Sequence, residues 1–156
     1  MDSLFSEAAA FERFMGRWSR RLAPLFARFA GVKDGDSVLD IGSGTGALTT
    51  ALAEMAPSSR IVGIDPSAPY VTLAQSRHGR VNSSFEVGDA EGLQFEAGEF
   101  DRTLSLLVFN FVPDPRMAMA EMLRVTKSKG AIAAAVWDYG DGMDMLRAFW
   151  DEAVAA

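Results

Sequence analysis

Nine residues, Val38–Gly46, constrain the fold of this chain more than any other stretch. A short apolar run that contains an acidic residue, Asp40, is followed by glycine at alternate positions 42, 44 and 46. Glycine lacks a Cβ atom, so it permits a tight strand-to-helix turn and lets a ligand lie against the backbone. The run therefore predicts a β-strand, a cofactor-binding loop and the amino end of a helix, in that order.

Strand-like and helix-like segments alternate along the rest of the chain. Short apolar runs predict strands at about 37–41, 60–65, 83–87, 101–108 and 130–137. Helical periodicity and helix-start residues predict helices at about 46–55, 66–77, 114–125 and 143–156. This alternation indicates an α/β fold, with a doubly wound parallel sheet of about five strands covered by helices on both faces.

Residues 1–35 are predicted to form a helical segment ahead of the cofactor-binding domain, which would occupy residues 36–156. Apolar residues recur at spacings of three and four between residues 6 and 31, which is helical periodicity. Gly16 and Pro24 are expected to divide this stretch into two pieces, because proline interrupts the interior of a helix.

Composition is that of a globular protein and disfavours several classes of function. Hydrophobic residues make up 49% of the sequence and charged residues 23%, as in folded domains. The absence of cysteine excludes disulfides and thiolate metal sites, and no other credible metal-ligand spacing occurs. The net charge of −6 disfavours a nucleic-acid partner. With no membrane-length apolar run and no secretory signal, we expect a cytoplasmic protein with no membrane partner.

Two cofactors compete for the glycine-rich loop. The spacing Gly42-x-Gly44-x-x-Ala47, with Asp65 roughly 20 residues further on, matches the dinucleotide fingerprint. Asp40 argues against NAD, because a carboxylate beside the loop would repel the pyrophosphate. S-adenosylmethionine carries an ammonium group and no phosphate, so the same carboxylate would favour it. We expect S-adenosylmethionine, and an NAD-binding oxidoreductase is the alternative.

Several stretches between residues 36 and 138 resemble, in the same order, the motifs of the class I S-adenosylmethionine-dependent methyltransferases. In chain order they are Val38–Gly46, Ile61–Ser67, Gly88–Glu91, Phe100-Asp101 with Val112–Pro115, and Lys129-Gly130. The chain is most similar to the small-molecule group that includes the methyltransferases of ubiquinone and menaquinone biosynthesis. The resemblance implies a Rossmann-like fold and S-adenosylmethionine as cofactor.

The resemblance also implies which residues bind the cofactor: Arg17, Asp40, Gly42, Ser43, Gly44, Asp65, Pro66, Asp89, Ala90 and Leu106. Asp40, the loop backbone and the backbone of Leu106 would face the methionine part. Arg17, in an N-terminal segment that would act as a lid, would meet the methionine carboxylate. The alternatives are that Asp40 is a buried carboxylate bound to loop amides and that Arg17 is merely exposed.

The nucleoside part of the cofactor would lie at the ends of the next two strands. Asp65 would accept hydrogen bonds from both ribose hydroxyls, and Pro66 would pack near the adenine. Asp89 and the backbone N–H of Ala90 would bind the adenine edge. As alternatives, Asp65 could cap the following helix and Asp89 could be an ordinary turn residue.

The expected reaction is methyl transfer to a small-molecule acceptor. Displacement at a sulfonium carbon requires alignment and exclusion of water more than acid–base groups. No catalytic residue is therefore predicted. His78, the only histidine, is expected at a helix end away from the site, and Asn110 is expected to be a loop residue or an acceptor-side hydrogen bonder.

The sequence after the fifth predicted strand departs from the family pattern. Domains of this type usually continue with two further strands of a seven-stranded sheet, and the residues after Trp137 are too few to supply them. We expect a domain truncated at its C-terminus, with an open sheet edge that could pair with a second copy. A non-catalytic cofactor-binding or interaction module is a further alternative.

Overall fold

The short apolar runs form the strands of one sheet in the computed structural model of the protein, which describes residues 12–78, 82–140, 142–144, 151 and 154. The strands are β1 (Ser37–Ile41), β2 (Arg60–Asp65), β3 (Ser83–Val87), β4 (Phe100–Leu106) and β5 (Thr126–Ala135). They lie in the order β3-β2-β1-β4-β5, and every pairing is parallel. The predicted α/β parallel sheet is confirmed.

Helices cover both faces of this sheet. They are α1 (Arg17–Phe29), α2 (Ala47–Met55), α3 (Ala68–His78) and α4 (Pro115–Val125). On one face, α1 and α2 bury residues such as Phe26 and Leu52 against Val38 and Leu104. On the other face, α4 buries Met122 and its neighbours against the alternate residues of β1 and β2. The sheet is therefore doubly wound, as predicted.

The chain changes direction across the sheet at β1. It proceeds from β1 through β2 to β3 on one side and then crosses back, so that β4 pairs with the opposite edge of β1. In register, Leu39 of β1 lies between Val62 of β2 and Thr103 of β4. A crevice forms outside the carboxyl ends of the strands at such a reversal, and ligands of this fold class bind there. The glycine-rich loop follows β1 at this point.

The N-terminal helix corrects one prediction. Gly16 does mark a boundary, between a π-helical turn at Glu12–Gly16 and α1, but α1 continues through Pro24. Proline removes one backbone donor from a helix. The helix persists because Ala23, Phe26 and Ala27 are buried against the sheet and α2, and tertiary packing of this kind overrides local propensity.

Strand β5 and the tail differ in extent from the sequence prediction. β5 starts at Thr126, directly after α4, rather than near residue 130. The early start reflects an irregularity in the pairing with β4, since Phe100 aligns with Thr126 but Arg102 aligns with Ala131. The helix predicted at 143–156 lies largely outside the described residues.

Candidate cofactor-binding site

The glycine-rich loop folds back onto the end of β2. The backbone N–H groups of Gly42 and Ser43 both donate to the carbonyl oxygen of Ile64, at 2.8 Å each. Gly42, Gly44 and Gly46 have φ values of 72°, 53° and 91°, a region that residues with a Cβ atom rarely adopt. The alternate glycines are thus required by the turn itself, which leads directly into α2.

The loop after β4 contacts the glycine-rich loop across the reversal point. A Cβ atom on Gly42 would lie 2.4 Å from a methyl carbon of Val108, so only glycine allows these two loops to approach so closely. The preceding residue, Leu107, has a φ of 64° and donates its N–H to the Ala135 carbonyl at 2.7 Å. A non-glycine residue in this conformation is strained, and such strain is common at ligand-binding sites.

Asp40 is buried beneath the loop with one oxygen unpartnered. Asp40 is only 1% exposed, and its Oδ2 accepts a hydrogen bond of 2.7 Å from the Thr49 hydroxyl. Oδ1 has no hydrogen-bond partner among the described residues, and neither has the buried Ser43 Oγ nearby in sequence. The N–H groups of Gly42 and Ser43 bind Ile64 and that of Gly44 binds Asp65, so Asp40 does not serve as their acceptor.

Burial raises the pKa of Asp40 from 3.8 to about 7, although the hydrogen bonds from Thr49 lower it. The neighbouring Asp65 carboxylate adds a further upward contribution to the pKa. A buried carboxylate without a counter-charge costs free energy, and a cationic ligand group would remove that cost. The site therefore fits an ammonium and opposes a pyrophosphate.

Asp65 links the loop to the start of α3. Its Oδ2 accepts a hydrogen bond of 2.9 Å from the Gly44 N–H, and its Oδ1 accepts one of 2.9 Å from the Ser67 N–H. Burial raises the pKa of Asp65, and these two bonds lower it. The residue thus forms a turn just before α3, while each carboxylate oxygen keeps a second lone pair for a ligand.

The residues predicted to bind adenine stand beside Asp65. The Gly88 N–H donates to the Asp65 carbonyl at 3.2 Å, which places the next residue, Asp89, at the same edge of the sheet. Asp89 is exposed and accepts a bond of 2.9 Å from the Glu91 N–H, so it also forms a turn. Ala90 is 9% exposed and packs in the core, while Pro66 is exposed.

Of the two remaining predicted cofactor-binding residues, Arg17 is exposed and Leu106 is buried. The guanidinium carbon of Arg17 lies 4.9 Å from the ring centre of Trp18 at the start of α1, and both side chains are exposed. Trp18 is 47% exposed and is not a core residue. Leu106 ends β4 and buries its side chain against α1 and α2, so its backbone is the part that reaches the strand ends. A contact between Arg17 and a cofactor stays a prediction.

Sequence reasoning missed several contacts that shape the site. Thr49 supports Asp40, and the Thr45 hydroxyl donates to the carboxylate of Glu12 at 2.6 Å. Asn110 bridges to the Trp137 backbone through both atoms of its amide, at 2.8 and 3.1 Å. None of these contacts carries a local sequence signal, because each joins separate segments of the fold.

Two cavities lie outside the strand-end crevice. One, of about 330 Å³, is at the amino ends of β2 and β3 and includes Arg60. The other, of about 320 Å³, lies on the α2 face between Glu12, Arg20 and His78. His78 does end α3, as predicted, but it is half-buried and lines this second cavity. Polar groups and loop geometry, rather than cavity volume, define the crevice as the candidate site.

The described residues contain neither a metal-binding cluster nor a membrane-spanning helix. Within them, no group of three histidine, aspartate or glutamate side chains is placed to hold a metal ion. No helix in the same part of the chain has the length and apolar character needed to cross a membrane.

The fold and the site together define a Rossmann-like domain for a nucleotide-type cofactor. The defining features are the parallel sheet, the glycine-rich loop at the reversal point and the acids at the ends of β1 and β2. A family profile described as a methyltransferase domain matches residues 39–134. The match covers more than half of the chain and every strand except the start of β1 and the last residue of β5. The chain therefore belongs to this family of class I methyltransferases.

Individual relatives agree with this assignment. The malonyl-[acyl-carrier protein] O-methyltransferase of Geobacter sulfurreducens is 36% identical over 136 residues, covering 86% of this chain and 48% of its own. The demethylmenaquinone methyltransferase of Thermotoga maritima is 31% identical over 116 residues, which cover 74% of this chain and 48% of that protein. The chain thus spans about half the length of these curated relatives, and the predicted likeness to menaquinone methyltransferases is confirmed.

A solved structure has the same fold. It is a chain from the complex that contains the Haloferax volcanii Trm112 methyltransferase activator, with a TM-score of 0.74 and 30% identity. The match covers 85% of this chain and 60% of that one.

Proposed function

We propose that this chain is the cofactor-binding part of an S-adenosylmethionine-dependent methyltransferase that acts on a small-molecule acceptor. One observation carries the choice of cofactor: the buried Asp40 carboxylate beneath the glycine-rich loop has an unpartnered oxygen. An ammonium group stabilises such a carboxylate, and a pyrophosphate does not. The alternative of an NAD-binding oxidoreductase lacks this complementarity.

The proposed binding residues divide between the two halves of the cofactor. Asp40, the backbone of Gly42, Ser43 and Gly44, and the backbone of Leu106 would hold the methionine part. Asp65 would bind the ribose through its remaining lone pairs, and Pro66, Asp89 and the Ala90 N–H would hold the adenine. Residues 1–35 would form a lid in which Arg17 meets the methionine carboxylate. The bound cofactor would supply an activated methyl group for in-line displacement.

Substitution of Asp65 tests the ribose role. We expect Asp65→Ala to weaken binding of S-adenosylhomocysteine by about tenfold to a hundredfold, from the loss of hydrogen bonds to a charged group worth about 1.5–3 kcal/mol. Asp101→Asn is the matched control, because Asp101 also accepts a backbone N–H bond of 2.9 Å, from Ser37, but at the amino end of the sheet. Isothermal titration calorimetry provides the measurement. Equal affinities in the Asp65→Ala variant and the unmodified chain would reject the ribose role.

We propose that the acceptor approaches over the loop after β4. This loop joins the crevice through Val108, and Asn110 fixes it to the segment after β5. The net charge of −6 favours a small molecule over a nucleic acid. The two relatives described above are named for different acceptors, an acyl-carrier-protein-bound malonyl group and demethylmenaquinone. A panel of carboxylic acids and quinones is therefore the first choice for turnover assays.

We further propose a cytoplasmic protein that can form a homodimer through β5. In the described part of the chain, β5 pairs only with β4, so its other side presents unpaired backbone groups. Such an edge is a template for association with another strand.

A further inference from the structure

The N-terminal π-helical turn is fastened to the glycine-rich loop by one side chain. The Thr45 hydroxyl, between Gly44 and Gly46, donates a hydrogen bond of 2.6 Å to Oε2 of Glu12. Thr45 is only 5% exposed. The two residues are 33 positions apart in sequence, so this bond joins the proposed lid to the proposed cofactor loop directly.

The Glu12 carboxylate has a second partner, and it lies against a glycine. Its Oε1 forms an ion pair with the guanidinium of Arg20, one turn into α1, and its side chain is only 19% exposed. Gly16 supplies the space, because a Cβ atom at that position would lie 2.5 Å from both Cδ and Oε1 of Glu12. The backbone of Gly16 is helical, with φ of −55°, so a side chain there would be met only by the Glu12 carboxylate, which it would displace.

We propose that Glu12 is a positioning residue for cofactor binding, which holds the N-terminal segment against the glycine-rich loop through Thr45. This inference rests on the proposed function. Glu12 acts through Thr45 and Arg20, and its described contacts include neither of the crevice acids, Asp40 and Asp65. By fixing Thr45, it holds the neighbouring Gly44 N–H in the position where it binds Asp65. The same contact holds α1, with Arg17 at its start, beside the loop.

Substitutions of Glu12 and of Thr45 should cause coupled losses of affinity for S-adenosylhomocysteine. We expect Glu12→Leu and Thr45→Val, each of which removes one partner of the hydrogen bond, to weaken S-adenosylhomocysteine binding by about tenfold, the effect of losing one charge-assisted hydrogen bond. The double variant should bind no more weakly than either single variant, because both substitutions remove the same contact. Thr45→Ser keeps the hydroxyl donor and should restore affinity.

Calorimetric titration with S-adenosylhomocysteine tests the coupling. Glu99→Leu is the matched control, because Glu99 also forms an ion pair, with Arg60, at the opposite end of the sheet. It should leave the dissociation constant unchanged. An affinity within about twofold of the unmodified chain in both single variants, or fully additive losses of about a hundredfold in the double variant, would overturn the inference. Absence of binding by the unmodified chain would instead overturn the proposed function, and the inference with it.

Discussion

At the scale of single residues, Asp40 carries most of the chemical information in the site. Its burial results from its position near the end of β1, where alternate side chains face α2, and its only described hydrogen-bond partner is Thr49. A carboxylate in this position opposes folding when it is ionised, since burial removes its hydration. A residue that is costly in the unliganded protein becomes favourable when a cation binds beside it.

The pH dependence of stability tests the state of Asp40. Its pKa is raised from 3.8 to about 7, so between these values the native state keeps a proton that the unfolded chain has lost. The free energy of unfolding should therefore fall as pH rises from about 4 to 7, by about 4 kcal/mol from this group alone. Asp40→Asn removes this dependence. When both proteins are unfolded with urea between pH 4 and pH 7, the free energy of unfolding of Asp40→Asn should rise relative to that of the unmodified chain.

Asp101 provides a control of opposite sign for that experiment. Lys127 and the Ser37 N–H hold the pKa of Asp101 below its usual range, so its contribution to stability is present at neutral pH and is lost as pH falls through the lowered pKa. Asp101→Asn should therefore be relatively less stable at neutral pH than in acid. Parallel pH profiles for Asp40→Asn and the unmodified chain would contradict a raised pKa at Asp40.

At the scale of elements, the glycine-rich loop and the loop after β4 act as one unit. Gly42 combines a left-handed backbone with close approach of the Val108 side chain. These are separate constraints, because one concerns the backbone of the turn and the other concerns packing across the reversal point. Substitutions can separate them.

Gly42→Ala should destabilise the protein and abolish binding of S-adenosylhomocysteine. The positive φ alone costs about 1–2 kcal/mol for a residue with a Cβ atom, and the collision with Val108 adds to it. Gly35→Ala isolates the first effect, since Gly35 has a φ of 92° and open space within 4 Å of the place its Cβ atom would occupy. Adding Val108→Ala to Gly42→Ala should recover part of the lost melting temperature. Equal destabilisation in Gly35→Ala and Gly42→Ala would argue against the packing constraint.

Pro24 lowers the stability of helix α1. The helix lacks one backbone donor there, and restoring it with Pro24→Ala should raise the free energy of unfolding by about 1–3 kcal/mol. Chemical denaturation measures this change. A decrease would mean that packing of the proline ring outweighs the missing hydrogen bond.

At the scale of the whole molecule, local sequence patterns predicted the sheet well and its side-chain contacts poorly. The bounds of β1, β2 and β3 match their apolar runs because turn residues flank each run. Packing on the sheet carries α1 through Pro24, and a pairing irregularity with β4 moves the start of β5. The Glu12–Thr45 contact has no local signature, since it depends on where α1 docks. Asp40 was identifiable from its position before the loop, but its bond to Thr49 was not.

The side of β5 that has no partner strand among the described residues leads to a prediction about assembly. If β5 pairs with a second copy, sedimentation equilibrium should give a mass approaching twice the 16.8 kDa of the chain as concentration rises. A mass of one chain at every concentration would reject association through this edge.

We propose that the carboxylate at Asp40 selects a cationic cofactor over a pyrophosphate. Parallel calorimetric titrations of the unmodified chain with S-adenosylhomocysteine and with NAD test it most directly. S-adenosylhomocysteine keeps the ammonium group of the methionine part, so it should bind, and Asp40→Asn should weaken that binding. NAD should give no saturable heat. Saturable binding of NAD, with none of S-adenosylhomocysteine, would contradict the claim.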